Sequence, residues 1–251
     1  MSTITTTTVV PATTEAASRR KYPIGIPAKF SVDGEVQRYP GNTVLCHIPS
    51  SSPIIPTLQA FYATLADHSM LSPSIHLLPP ASWHMTIFDG MRESECEPGM
   101  WPPGRAKIPL AESTIIYREK LSAFGRTQLK DLGLAPPYKM RVRSIDANTA
   151  GIGLELEGAT TEEEGRMRRL RDAIADVLGF RAPNHHAYIF HVSVAYFLRH
   201  VDGESREELE RVLKRHLPRF QAGILRLGAP EFCTFEDMHA FPRVMYIGDD
   251  D

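Results

Sequence analysis

The chain has 251 residues, 42% of them hydrophobic and 23% charged, with a formal net charge of −2. It is long enough to bury a sizeable core, as one large domain or two intimately packed lobes. Its charge excludes a general electrostatic attraction to nucleic acid or membrane, so any nucleotide must be held locally.

Residues 1–22, rich in Thr, Ala and Val and ending near Ser18-Arg19-Arg20-Lys21, read as a disordered tail ahead of a single bilobal domain over 23–245. The tail lacks the apolar core of a secretory signal, and Glu15 argues against an organelle-transit segment, so the protein reads as cytoplasmic. No run approaches the roughly 20 apolar residues of a membrane span. Cys46, Cys96 and Cys233 lack zinc-finger spacing and read as reduced thiols.

Tyr39-Pro40-Gly41-Asn42 signals a turn, and Thr43 to Ile48 a strand. Ser52-Pro53 should open a helix, Ser as N-cap and Pro at the first helical position, with Ile54, Leu58, Phe61, Tyr62 and Leu65 on its buried face. A Pro-rich link leads to a strand over 82–88. Residues 90–111 carry Pro98, Gly99, Pro102, Pro103, Gly104 and Pro109 and read as a long loop. A helical pattern follows through Leu121, Phe124, Leu129 and Leu132, ended by Gly133 and Pro136-Pro137.

Lys139 to Ile145 and Gly151 to Glu157 predict a hairpin, with Lys139, Arg141 and Arg143 beside Glu155 and Glu157. Cross-strand ion pairs are expected there in preference to phosphate binding by Arg141 or Arg143. Thr160 and Glu163 suit a capping box for a helix lined by Met167, Leu170, Ile174, Val177 and Leu178 and stopped by Gly179. A strand over about 188–198 comes next. Ser205 and Glu208 repeat the capping signal for a helix lined by Leu209, Val212, Leu213 and Leu217 that should end at Pro218. Two short strands are expected within 223–236. Antiparallel sheets with helices on one side, an α+β fold, suit this order better than a doubly wound parallel sheet.

Two pieces of the chain look alike: Ser82-Trp83-His84-Met85-Thr86-Ile87-Phe88 and Phe190-His191-Val192-Ser193-Val194-Ala195-Tyr196. On a strand, residues two apart share a face, so His84 projects with Thr86, and His191 with Ser193. The bare spacing is weak, because ten histidines lead one to expect about one such match by composition alone. The context carries more. Trp83, Met85 and Ile87 behind the first motif, and Phe190, Val192 and Val194 behind the second, are what a core wants. A polar stripe on a buried strand costs free energy unless it is paired or wet, so two such stripes point to a polar cleft. Placed opposite each other, two imidazoles and two hydroxyls around one anion can perform acid/base chemistry on a phosphoester without a metal. Phe88 shares the face and is a candidate to stack on a substrate. Tyr196 falls on the other face unless a bulge intervenes. His185 and His186 adjoin the second strand, but adjacent loop residues seldom share one ion and no carboxylate or cysteine has matching spacing, so no metal is expected. His47 suits either cleft or core.

This pair of motifs resembles the signature of the two-histidine phosphoesterase superfamily, which includes cyclic nucleotide phosphodiesterases and RNA-end 2′,3′-cyclic phosphodiesterases of the RNA-ligase-T type. The resemblance covers roughly 43–236 and fits an uncharacterised branch, with an insertion over about 90–136. It implies two pseudo-symmetric lobes of antiparallel sheet with helices outside and a central cleft. It implies His84 and His191 as catalytic acid and base, in an order left open, and Thr86 and Ser193 as ligands of the substrate phosphate. It implies no cofactor, a small phosphoester or nucleotide substrate or an RNA end, and a monomer. A non-catalytic module that binds a nucleotide in the same cleft is the alternative.

Overall fold

The computed structural model of the protein describes residues 20–94, 99–147 and 150–248. Most of the expected tail, and Cys96, lie outside the described residues. The elements run in the order β1 (Gly41–His47), α1 (Ile55–Ala66), β2 (Ile75–Leu77), β3 (His84–Arg92), α2 (Leu110–Thr127), β4 (Tyr138–Ala147), β5 (Gly151–Gly158), α3 (Thr161–Leu178), β6 (Phe190–Phe197), α4 (Gly203–Gln221), β7 (Leu225–Leu227), β8 (Glu231–Phe235) and β9 (Arg243–Tyr246).

The strands form two antiparallel sheets, β3-β1-β8-β9 and β2-β6-β5-β4-β7. This is the α+β fold read from the sequence. The two look-alike pieces lie in different sheets, on β3 and β6, and these strands approach each other without sharing a hydrogen-bonded ladder. Each half of the molecule thus brings one motif to a common seam.

The helices cover the other faces. In α3, Met167, Leu170, Ile174 and Leu178 are at most 1% exposed and join the main core. Each such side chain contributes about 2 kcal/mol by leaving water. The Thr160 hydroxyl caps α3 by accepting the Glu163 N–H at 3.2 Å, and Gly179, at φ 86°, ends it in the left-handed region. The Glu163 carboxylate does not close the box; it accepts from Arg166 and from the Lys139 N–H instead.

Several boundaries differ from the sequence pattern. Helix α1 begins after Ile54, with Pro56 in its first turn, because Ser52 and Pro53 form the turn that leads into it. Helix α4 starts at Gly203 behind Asp202, which places Ser205 inside the helix. It also runs past Pro218 to Gln221, because Phe220, 2% exposed, anchors the last turn in the core. The pattern missed β2 and β9, which are three and four residues long. In the hairpin, Arg141 pairs with Glu157 at 2.8 Å and Arg143 with Glu155 at 2.7 Å, and Glu155 faces His191 across the β5–β6 ladder. Cys46 and Cys233 are free and buried. Among the described residues no helix is long and apolar enough to cross a membrane.

A second, smaller apolar cluster gathers Phe30, Tyr39, Leu78, Leu198, Phe235 and Met238. It joins the segment before β1 to one end of the seam.

Candidate active site

The two motif strands share a local distortion. On β3, Leu45 of β1 faces Thr86 while its neighbour Val44 faces Phe88, so Ile87 is an extra residue. On β6, Gly153 of β5 faces Ser193 while Ile152 faces Ala195, so Val194 is extra. Each strand therefore bulges one residue after its hydroxyl, and alternation restarts in the opposite phase. Burial follows: Met85, Ile87 and Phe88 are buried between the half-buried His84, Thr86 and Asp89, and Val192, Val194 and Ala195 between His191, Ser193 and Tyr196. The bulge carbonyls are held. Val194 O accepts the Leu78 N–H at 2.9 Å, and Ile87 O accepts from the guanidinium of Arg171, a residue only 1% exposed.

Both histidines are oriented in the same way. His84 Nδ1 lies 2.6 Å from Ser82 O, and His191 Nδ1 lies 2.9 Å from Ile189 O. A carbonyl can only accept, so each Nδ1 carries the hydrogen, and each Nε2 is left unprotonated in the neutral ring. Burial lowers the His84 pKa to about 4; nearby His47 and His191 push the same way, against the Ser82 carbonyl and Glu231. His84 is therefore neutral near pH 7, with Nε2 a bare base.

His84, Thr86, His191 and Ser193 all line one cleft of about 480 Å³. That volume suits a small ligand. Burial raises the pKa of Tyr188, a cleft residue, strongly, while the nearby Thr86 hydroxyl works against that rise. Tyr188 stands just before β6. Its ring lies 3.8 Å from the Arg171 guanidinium carbon. Phe241 covers His84, with ring centroids 4.2 Å apart.

Phe88 does not join the cleft. It is 1% exposed and packs against Phe180, because the bulge at Ile87 turns it into the core and gives its place to Asp89. Tyr196 makes the opposite move: the bulge at Val194 brings it into the cleft. Sequence alternation also missed Lys29, Tyr188 and Phe241, which line the cleft from outside the motif strands.

His47 lies opposite His84 in the β1–β3 ladder, ring centroids 6.1 Å apart, and donates from Nδ1 to Glu231 at 3.0 Å. Burial works to raise the Glu231 pKa, but hydrogen bonds from His47 and Arg243 outweigh it and hold the carboxyl below its ordinary value. His47, Glu231 and Cys233 have the donor atoms of a metal site within 4.8 Å of one another, as do Asp172, His185 and His186. The carboxylate that spacing did not show for His185 is thus Asp172, from α3, 2.8 Å from His185 Nε2. None of these residues lines the cleft.

Residues 29–151 match the family model 2H-phosphodiest, described as a domain of unknown function (DUF1868). The match spans His84 and Thr86 and ends before His191. No curated protein matches. A conserved protein of unknown function, ATU0111 from Agrobacterium tumefaciens str. C58, superposes with a TM-score of 0.79 at 26% identity, covering 96% of this chain and 100% of that one. TT0787 of Thermus thermophilus superposes with a TM-score of 0.44 at 10% identity, covering 86% and 100%. The family match over residues 29–151 and the Agrobacterium neighbour together give the chain a two-histidine phosphoesterase-like fold.

Proposed function

We propose that the protein is a metal-independent phosphodiesterase that hydrolyses a cyclic, 2′,3′-type nucleotide or a related small phosphoester. The observation that carries this reading is the shared pose of His84 and His191. Each is pinned at Nδ1 by a main-chain carbonyl two residues before it, and each lines the same cleft.

In this reading the cyclic diester sits between the two motifs. Thr86 and Ser193 donate hydrogen bonds to its non-bridging oxygens, where charge grows in the transition state. His84, neutral, takes the proton of the attacking water through Nε2. The substrate's negative charge raises the His84 pKa on binding and makes it a stronger base. His191 acts from the other side as imidazolium and protonates the leaving ribose oxygen. Water adds to phosphorus, the P–O bond to one ribose oxygen breaks, and a phosphomonoester with a free hydroxyl leaves. Each acid or base contributes about 10²–10⁴-fold.

The test is a panel of 2′,3′-cyclic nucleotides assayed in excess EDTA. Turnover supports the reading. Binding without turnover would replace it with a non-catalytic nucleotide-binding module, and loss of turnover on chelation would remove metal independence.

A further inference from the structure

Lys29 is a half-buried cation in the cleft wall, and among the described residues no carboxylate pairs with it. Its Nζ donates to the Tyr196 hydroxyl at 3.1 Å and lies 4.9 and 5.4 Å from the ring centroids of Tyr196 and Tyr39. Taking an ammonium part of the way out of water costs free energy, and two ring faces return only some of it. The Tyr196 hydroxyl in turn donates to the Met238 sulfur at 3.6 Å, a weak acceptor. One cation and one hydroxyl therefore stand in the cleft with weak partners, ready for an oxygen anion.

The position is built. The Lys29 N–H donates to Gly25 O at 2.7 Å, and Lys29 O accepts the Gln37 N–H at 2.9 Å. Phe30 beside it is fully buried. Tyr196 is three residues beyond Ser193, and the bulge absorbs one of the three steps, so their Cα atoms are about two strand steps, ~7 Å, apart. The ammonium thus stands beyond the group held by Thr86 and Ser193. Asp89 occupies on β3 the position that Tyr196 holds on β6. Its carboxylate repels an anion, so of these two matched positions the one on β6 accepts an anion; Arg92, further along β3, also lines the cleft.

We propose that the cleft is a two-anion site, and that the substrate is a phosphodiester carrying a second phosphoryl group, held by Lys29 and Tyr196. This rests on the phosphodiesterase reading above and narrows its substrate. The second phosphoryl group can be a 5′-phosphomonoester or an internucleotide phosphodiester; the binding chemistry is the same.

The test compares adenosine 2′,3′-cyclic phosphate, its 5′-phosphorylated form, and the dinucleotide ending in the same cyclic phosphate. The wild-type protein should favour the 5′-phosphorylated form or the dinucleotide at least tenfold in kcat/KM over the nucleoside cyclic phosphate. Lys29→Met should collapse that ratio to near one, and Lys29→Arg should restore most of it. Which of the two forms is favoured identifies the source of the second phosphoryl group. Equal turnover of all three by the wild type would overturn the two-anion site and leave the phosphodiesterase reading standing. If none is hydrolysed, binding decides: adenosine 2′,5′-bisphosphate should bind at least tenfold tighter than adenosine 2′-monophosphate, and equal binding, or none, would overturn the proposal.

Discussion

Arg171 reaches across 84 positions of sequence to donate a hydrogen bond to the carbonyl of Ile87, the residue by which β3 outruns its partner strand. The same guanidinium donates from Nε to His185 O at 3.3 Å and stacks on the cleft residue Tyr188. One buried side chain of α3 therefore holds the bulge of the first motif and the loop that enters the second. Arg171→Met keeps the volume but leaves two carbonyls without their donor, at ~1–3 kcal/mol each. Urea unfolding should show a loss of about 2–6 kcal/mol. Because Asp89 owes its facing to the bulge, and Tyr188, on which the guanidinium stacks, lines the cleft, kcat should also fall at least tenfold. A variant as stable and as active as wild type would show that the bulge stands without Arg171.

The proposed acid/base pair makes a sharper demand. His84→Ala and His191→Ala should each lower turnover about 10²–10⁴-fold. Both side chains are only half-buried, so the thermal midpoint should move by a few degrees at most. If His84 is the base, kcat/KM must rise as pH rises through about 4, where His84 loses its proton in the free protein. A rising limb centred well above pH 6 would take the base role away from His84.

The motif strands show what was legible in the sequence and what was not. His84 with Thr86, and His191 with Ser193, obey simple alternation because the ladder is regular up to each hydroxyl. Alternation then fails at the next residue in both strands, and it fails identically. Nothing in Ile87 or Val194 marks a bulge: both are β-branched, apolar and good strand residues. The bulges are held from elsewhere, by Arg171 and by the Leu78 N–H. That is why simple alternation places Phe88 in the cleft and Tyr196 outside it. The helix α3 was legible because its cap, stripe and stop are all local. Lys29 and Phe241 were not, since they reach the cleft from segments without periodicity.

Acid should destabilise the fold in a defined window. Burial holds the His84 pKa near 4, against an ordinary 6.5. Between those values the unfolded chain binds a proton that the folded protein does not, so stability rises with pH through the window. The contribution is complete above about pH 6.5 and is lost as pH falls toward 4. At pH 5 the loss is about 2 kcal/mol from this residue. Burial also lowers the pKa of His76, His185 and His216, which adds loss of the same sign. Urea unfolding at pH 7.5 and pH 5 checks this. His84→Gln should shrink the difference between the two by about 2 kcal/mol, and an unchanged difference would place the acid sensitivity elsewhere.

Phe88 and Phe241 should separate cleanly under substitution. Phe88 is closed into the core against Phe180 and beside Arg171, so Phe88→Ala should cost ~3–5 kcal/mol of stability through cavity formation. Activity per folded molecule should follow only as far as the bulge loosens. Phe241 is half-buried and lies on the His84 ring. Phe241→Ala removes little core but lets water reach the imidazole. Burial is the main cause of the low His84 pKa, so the variant should move it up toward 6.5. The acid limb of kcat/KM should move up with it, and KM should rise if the ring also lies against the bound ligand. NMR titration of the His84 ring protons reads the shift directly. An unmoved titration would mean that the strand environment, and not Phe241, keeps His84 neutral.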